Sequence, residues 1–105
     1  MDNALEERKA FHTWLKTFCP NVYFMPPANV KMVYPCIVYT TGGVDTRFAD
    51  NKLYSGHVAY SVTVIEQQPN LLWTKLIGTE KYPHSKYTTD FISDNLYHTV
   101  IDITV

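Results

Sequence analysis

The order of hydrophobic patterns along the chain predicts an α+β fold: a mostly antiparallel sheet of four to five strands with two helices packed on one face. A helical pattern comes first, over residues 3–18. Strand patterns follow over 34–41 and 56–67, and a hairpin pattern ends the chain. A short helical pattern lies between the second strand pattern and the hairpin pattern. Because 105 residues build a single small core, we predict one domain, residues 1–105.

The first predicted element is an amphipathic helix. Its apolar residues recur at spacings of three, four and seven, which places them on one face. They are Ala4, Leu5, Phe11, Trp14, Leu15 and Phe18. Pro20 disfavours helical geometry at the residue before it, so the helix should end between Thr17 and Cys19. A brief strand, 22–25, is expected next, and Pro26-Pro27 opens a connector over 26–33.

Two longer strands are predicted in the middle of the chain. Residues 34–41 form the first, and its segment 36–39 is apolar on both faces, which indicates cover by a helix on one side and by something else, such as a neighbouring subunit, on the other. We expect Gly42-Gly43 to end this strand. The second strand, 56–67, alternates strictly. Its core face is predicted to carry Val58, Tyr60, Val62 and Val64.

The C-terminal third predicts a short helix and a hairpin. A stripe of four apolar residues in 72–77 covers barely two helical turns, and Gly78 is a candidate terminator. Alternating patterns over 86–91 and 97–105 flank the turn cluster 93–95, which predicts two antiparallel strands.

Composition excludes several classes of function. A net charge of −1 gives no basic excess for a nucleic-acid interface. No apolar run reaches the roughly 20 residues that span a bilayer, and the N-terminal residues lack a signal-peptide core. We therefore expect no membrane association and a chain that stays in a cytoplasm. The two cysteines, Cys19 and Cys36, are too few for a disulfide scaffold and are predicted to be reduced and partly buried.

No motif for catalysis or metal binding is present in the sequence. The four histidines and two cysteines lack the short spacings of metal sites. Cys36 lies in an apolar run, where a thiol is buried and inert. The aspartate pairs 45/50 and 90/94 lie in or beside turns, where aspartate bonds to nearby backbone. We predict a protein that is not an enzyme, with no catalytic residue, no cofactor and no metal.

The candidate site is the loop over residues 44–55. It contains most of the mid-chain charge together with bulky side chains, and arginine and tyrosine are common interface anchors. A solvated hairpin loop remains the other interpretation. The residues that we predict to form an assembly interface are Asp45, Arg47, Phe48, Asp50, Asn51, Lys52 and Tyr54.

Three segments resemble one family. They are Tyr34-Pro35-Cys36-Ile37-Val38-Tyr39, Asp45-Thr46-Arg47-Phe48-Ala49-Asp50-Asn51-Lys52 and Tyr60-Ser61-Val62-Thr63-Val64-Ile65. Together with Pro69 and the stretches 87–90 and 94–98, they resemble the tail-completion proteins of long-tailed bacteriophages, also called tail terminator or head–tail joining proteins. The resemblance covers residues 34–105, and the N-terminal helix fits by position.

The resemblance implies a structural role in the virion. Such proteins are non-enzymatic and form a ring, typically a hexamer, at the head-proximal end of the tail tube. Their partners are further copies of themselves, the major tail-tube protein and the head–tail connector proteins. DNA passes through the lumen without specific binding, and assembly takes place in the bacterial host cytoplasm.

A second hypothesis comes from another class. A small phage-encoded monomeric protein that binds a host protein, for example as an inhibitor, and has no role in the virion would show the same composition and the same lack of catalytic motifs. The mass in solution and the gene neighbourhood discriminate between the two hypotheses.

Overall fold

The computed structural model describes residues 3–45 and 57–105, and it confirms an α+β fold. These described residues form one α-helix, five strands and a short 3-10 turn. In chain order these elements are α1 (Asn3–Lys16), β1 (Val22–Phe24), β2 (Cys36–Asp45), β3 (His57–Glu66), the 3-10 turn (Leu72–Lys75), β4 (Ser85–Ser93) and β5 (Leu96–Thr104).

The five strands form one mixed sheet in the order β1-β2-β3-β5-β4. β1 runs parallel to β2, whereas the other three pairings are antiparallel. The predicted strand number is confirmed, but the parallel pairing was not predicted. The connector 25–35 explains the parallel pairing. Parallel neighbours need a connection that runs back along the strand, and Pro26-Pro27 favours such an extended path over a tight hairpin.

The prediction that Gly42-Gly43 ends a strand is wrong. β2 continues through the glycine pair to Asp45, and Val44 pairs with Val58. The register shifts between Thr41 and Gly43, so Gly42 lies at a bulge. A Cβ atom on Gly42 would come within 3.1 Å of the carbonyl oxygen of Ala59. Glycine thus permits a close approach of the two strands here.

The second predicted helix is also wrong. Only Leu72–Lys75 is helical, as a single 3-10 turn, and none of its four residues is buried. Leu71, just before it, has a left-handed backbone with φ 60°, which prevents extension of a right-handed helix toward the N-terminus. Gly78, with φ 62°, blocks extension at the other end. The stripe nevertheless delivers Leu76 to the core.

One hydrophobic core lies between α1 and the sheet. Its centre is Phe11, a fully buried side chain whose ring lies 5.2–5.8 Å from four other aromatic rings. The predicted core face of β3 is confirmed for Tyr60, Val62 and Val64. On α1 the predicted face is correct for Phe11 and Leu15, but Leu5 is half exposed. The core comprises Phe11, Leu15, Cys19, Val22, Ile37, Tyr39, Tyr60, Val62, Val64, Leu76, Tyr82, Ile101 and Ile103.

The final hairpin closes as the turn residues predict. β4 ends at Ser93, β5 begins at Leu96, and the two intervening residues have positive φ. Asp94 and Asn95 are the residue types that tolerate this conformation in two-residue hairpin turns.

Candidate interaction surface

The predicted assembly loop lies almost wholly outside the described residues. Asp45 is the last residue of β2, and its backbone pairs with His57 at the start of β3. Arg47, Phe48, Asp50, Asn51, Lys52 and Tyr54 lie in the segment 46–56, which joins these two strand ends outside the described part of the chain. Val44 and Asp45, which were predicted to belong to the loop, are strand residues instead.

β4 is an exposed edge strand. Within residues 3–45 and 57–105, it pairs with β5 alone, and eight of its nine residues are exposed. Three of these are large apolar residues: Tyr87 is 44% exposed, Phe91 49% and Ile92 64%. An edge strand offers unpaired backbone N–H and C=O groups to another chain, and apolar side chains beside them add a driving force for pairing.

A bulge divides β4 into two parts. The register against β5 shifts between Tyr87 and Thr89. Regular pairing then continues over Thr89–Ser93, the part that carries Phe91 and Ile92. Bulges twist a strand and interrupt an edge, so the segment after the bulge offers the longer regular edge.

A groove of about 260 Å³ lies between the 3-10 turn and the end of the β4–β5 hairpin. Leu71 and Trp73 form one wall, and Ile92 and Tyr97 form the other. Leu71 is 54% exposed and Tyr97 37%, so the apolar walls face solvent. Glu66 and Thr99, which line the groove, share the strand faces of the core residues Val64 and Ile101.

Glu66 lies in this groove and holds the 3-10 turn in place. Its side chain is 5% exposed, and its carboxylate accepts hydrogen bonds from the backbone N–H groups of Leu71 and Leu72. These are among the N–H groups that a helical turn leaves without an internal partner. Burial raises the pKa of the Glu66 carboxyl group, and the two hydrogen bonds act in the opposite direction.

Asp90 is the second carboxylate of the groove. It lies on β4 opposite Thr99 of β5. Desolvation raises the pKa of Tyr87, and the nearby carboxylate of Asp90 raises it further. The ring of Tyr87 in turn lies 5.2 Å from that of Trp73, which ties β4 to the 3-10 turn.

A second polar cluster joins α1 to the sheet. The Tyr39 hydroxyl oxygen lies 2.7 Å from Nδ1 of His12 and 3.5 Å from Nη1 of Arg8. The Arg8 guanidinium also lies 4.4 Å from the centre of the Phe24 ring. Burial, then the charges of Lys16 and Arg8, lowers the pKa of His12. The lowered pKa favours neutral His12, and Arg8 donates to the hydroxyl oxygen of Tyr39.

The two cysteines are free thiols, and both are buried rather than partly buried as predicted. Cys19 donates to the carbonyl oxygen of Pro35 over 3.3 Å. Burial, followed by the proximity of Cys19, raises the pKa of Cys36 to about 11. A thiol with this pKa is almost wholly protonated at neutral pH and is a poor nucleophile.

Residues 3–45 and 57–105 contain no group of three or more histidine, cysteine, aspartate or glutamate side chains that could hold a metal ion. Within the same residues, no helix has the length and apolar character needed to cross a membrane.

Comparisons with known proteins do not identify a relative. No protein-family model, no curated protein and no solved structure matches this chain.

Sequence reasoning did not find the edge or the groove. One signal was present: Phe91 and Ile92 are adjacent, so an alternating strand must turn one of them away from the core. Which side faces solvent depends on what covers each face of β4, and that depends on contacts distant in sequence.

Proposed function

We propose that this chain is a structural protein of a long-tailed bacteriophage. In this proposal it forms a ring, a hexamer, at the head-proximal end of the tail tube, stops tube growth and joins the tail to the head. The proposal rests on the resemblance over residues 34–105 described above, and on the exposed edge of β4 as a surface available for assembly.

The observation that supports it best is that the sheet ends in two unlike edges. β4, at one edge, is nine residues long and bears exposed apolar side chains, whereas β1, at the other, is three residues long and lies next to α1. A cyclic ring is built from heterologous contacts, so each subunit needs two different surfaces. A subunit with unlike edges meets this requirement.

In the proposal the loop residues form the remaining contacts. Asp45, Arg47, Asp50, Asn51 and Lys52 make polar contacts to the next subunit or to the tail tube, and Phe48 and Tyr54 supply apolar anchors. The other partners are the major tail-tube protein and the head–tail connector proteins. DNA passes through the lumen, and a chain of net charge −1 has no basic excess with which to grip it.

The test is complementation of a phage from which the gene has been deleted. The double variant Arg47→Ala with Asp50→Ala is expected to yield tails that are not capped and a low titre. The matched control is Lys9→Ala with Glu80→Ala, which also removes one cation and one anion but at exposed positions outside the loop, β4 and the groove. Normal titre with the loop variant would show that the loop is not the working surface.

The alternative, a monomeric protein that binds a host protein, predicts different results. A ring protein is a virion component, so mass spectrometry of purified particles should detect it, and electron microscopy of the deletion should show tails of uncontrolled length. An inhibitor would be absent from particles, and its deletion would leave tail length unchanged. Tail completion also predicts connector genes just upstream and a tail-tube gene just downstream.

A further inference from the structure

We propose that the groove beside β4 binds an arginine side chain of an extended partner segment, which pairs through its backbone with the segment Thr89–Ser93. The partner is a peptide strand in which arginine is flanked by apolar, β-forming residues. This inference stands on the geometry of the groove and the edge, and it does not depend on the proposed role in a phage tail.

The exposed edge of β4 and the groove lie close enough together to bind the same partner strand. Asp90 and Ile92 share the face of β4 that borders the groove, because they pair with Thr99 and Tyr97 of β5. A strand added to β4 would place its alternate side chains on that face, about 5 Å from Asp90 or Ile92. A long side chain at such a position reaches over β4 into the groove.

The charges of the groove select a cation. Its lining includes two carboxylates, Glu66 and Asp90, and among the described residues no lysine or arginine side chain lines it. His98 also lines it, and Nδ1 of this histidine lies 3.1 Å from the carbonyl oxygen of Leu96. The acidic side chain of Asp90 is therefore complementary to a basic side chain of a partner.

The walls select arginine over lysine. Two aromatic residues, Trp73 and Tyr97, line the groove. A planar guanidinium stacks on aromatic faces and donates two parallel hydrogen bonds to a carboxylate such as that of Asp90. The ammonium group of lysine is a compact, strongly hydrated charge that does neither as well.

The size of the groove suits one side chain. Pockets for drug-sized ligands begin at about 300 Å³, and this groove has about 260 Å³. A single large side chain supported by backbone pairing along β4 fills such a space, which is how added strands gain affinity from the main chain and specificity from a side-chain pocket.

The test is an NMR titration of the isotope-labelled full chain with two synthetic peptides. One has the sequence Thr-Val-Arg-Val-Thr with blocked ends, and the other replaces arginine with citrulline, its uncharged isostere. We expect the arginine peptide to bind about tenfold more tightly, from a charge-assisted hydrogen bond. The perturbed signals should be the amides of Thr89–Ser93 and the indole of Trp73.

Two variants complete the design. Asp90→Asn removes the charge and preserves the shape of the groove, so the two peptides should then bind equally. Asp102→Asn removes a carboxylate of β5 that lies opposite Lys86 in the strand register and does not line the groove, and the preference should persist. Equal affinity for the two peptides with the unaltered chain, no binding of the arginine peptide at millimolar concentration, or shifts confined to other strands would each overturn the proposal.

Discussion

Phe11 should be the residue whose truncation destabilises the fold most. Its side chain is fully buried, and core Phe→Ala substitutions cost about 3–5 kcal/mol. The ring has two edge-to-face neighbours, Tyr39 and Tyr82, and two stacked ones, Trp14 and Tyr60. Aromatic pairs contribute about 0.5–1.5 kcal/mol beyond the area that they bury, so we expect a loss of about 4 kcal/mol for Phe11→Ala.

The assay is urea unfolding followed by circular dichroism. With a slope of about 2 kcal/mol per M, typical of small proteins, the midpoint should fall by about 2 M. A small domain has a free energy of unfolding of about 5–15 kcal/mol in total, so Phe11→Ala removes a large part of it. Phe11→Leu keeps an apolar side chain without the ring and should lie between the unaltered chain and the alanine variant.

The matched control is Phe91→Ala. This phenylalanine is half exposed and stacks on His98 at 4.8 Å, so its truncation should cost about 0.5 kcal/mol. The reasoning is refuted if Phe11→Ala costs less than about 1.5 kcal/mol, or if the two alanine variants lose the same free energy of unfolding.

Three other predictions concern titratable groups. Because the fold lowers the pKa of His12, this histidine binds a proton more readily in the unfolded chain. The free energy of unfolding should therefore fall as the pH drops from about 6.5 through the lower pKa of the folded state. Urea midpoints measured over this pH range should fall less in the His12→Gln variant. Glu66→Ala should lower the free energy of unfolding by about 1–3 kcal/mol, because the N–H groups of Leu71 and Leu72 lose their acceptor. Glu66→Gln keeps an acceptor oxygen, so its free energy of unfolding should stay close to that of the unaltered chain in the same assay. Iodoacetamide should label Cys36 far more slowly in the folded chain at pH 8 than in urea, and rapid labelling of the folded chain by mass spectrometry would contradict its burial.

The elements that local periodicity defines were predictable from the sequence. On β5 the alternation that places Thr99, Ile101 and Ile103 on one face is the alternation that the structure buries. The helix α1 ends at Lys16, close to the predicted limit, because Pro20 acts on its immediate neighbours.

The elements that depend on distant contacts were not predictable. The local sequence predicts that Gly42 ends a strand. In the structure, its lack of a side chain instead lets the backbone of Ala59 on β3 come close. The left-handed conformation of Leu71 similarly depends on Glu66, whose carboxylate binds the N–H groups of Leu71 and Leu72. No local pattern encodes either interaction.

The assembly loop stays a prediction. It was chosen for its charge and its bulky residues, and of the seven predicted interface residues only Asp45 falls within the described chain. The edge position of β4 follows from the strand order, in which β5 is inserted between β3 and β4. Alternation defines a strand but does not determine its place in the sheet, so the exposure of Ile92 was not predictable.

The two tryptophans have different surroundings. Trp14 lies 4.8 Å from Tyr82 and 5.0 Å from Phe18 at the edge of the core, whereas Trp73 lies beside Tyr87 in the groove. A Trp73→Phe variant therefore emits only from the core region and reports global unfolding. A Trp14→Phe variant emits only from the groove, so its fluorescence follows occupancy of that surface while the core stays folded.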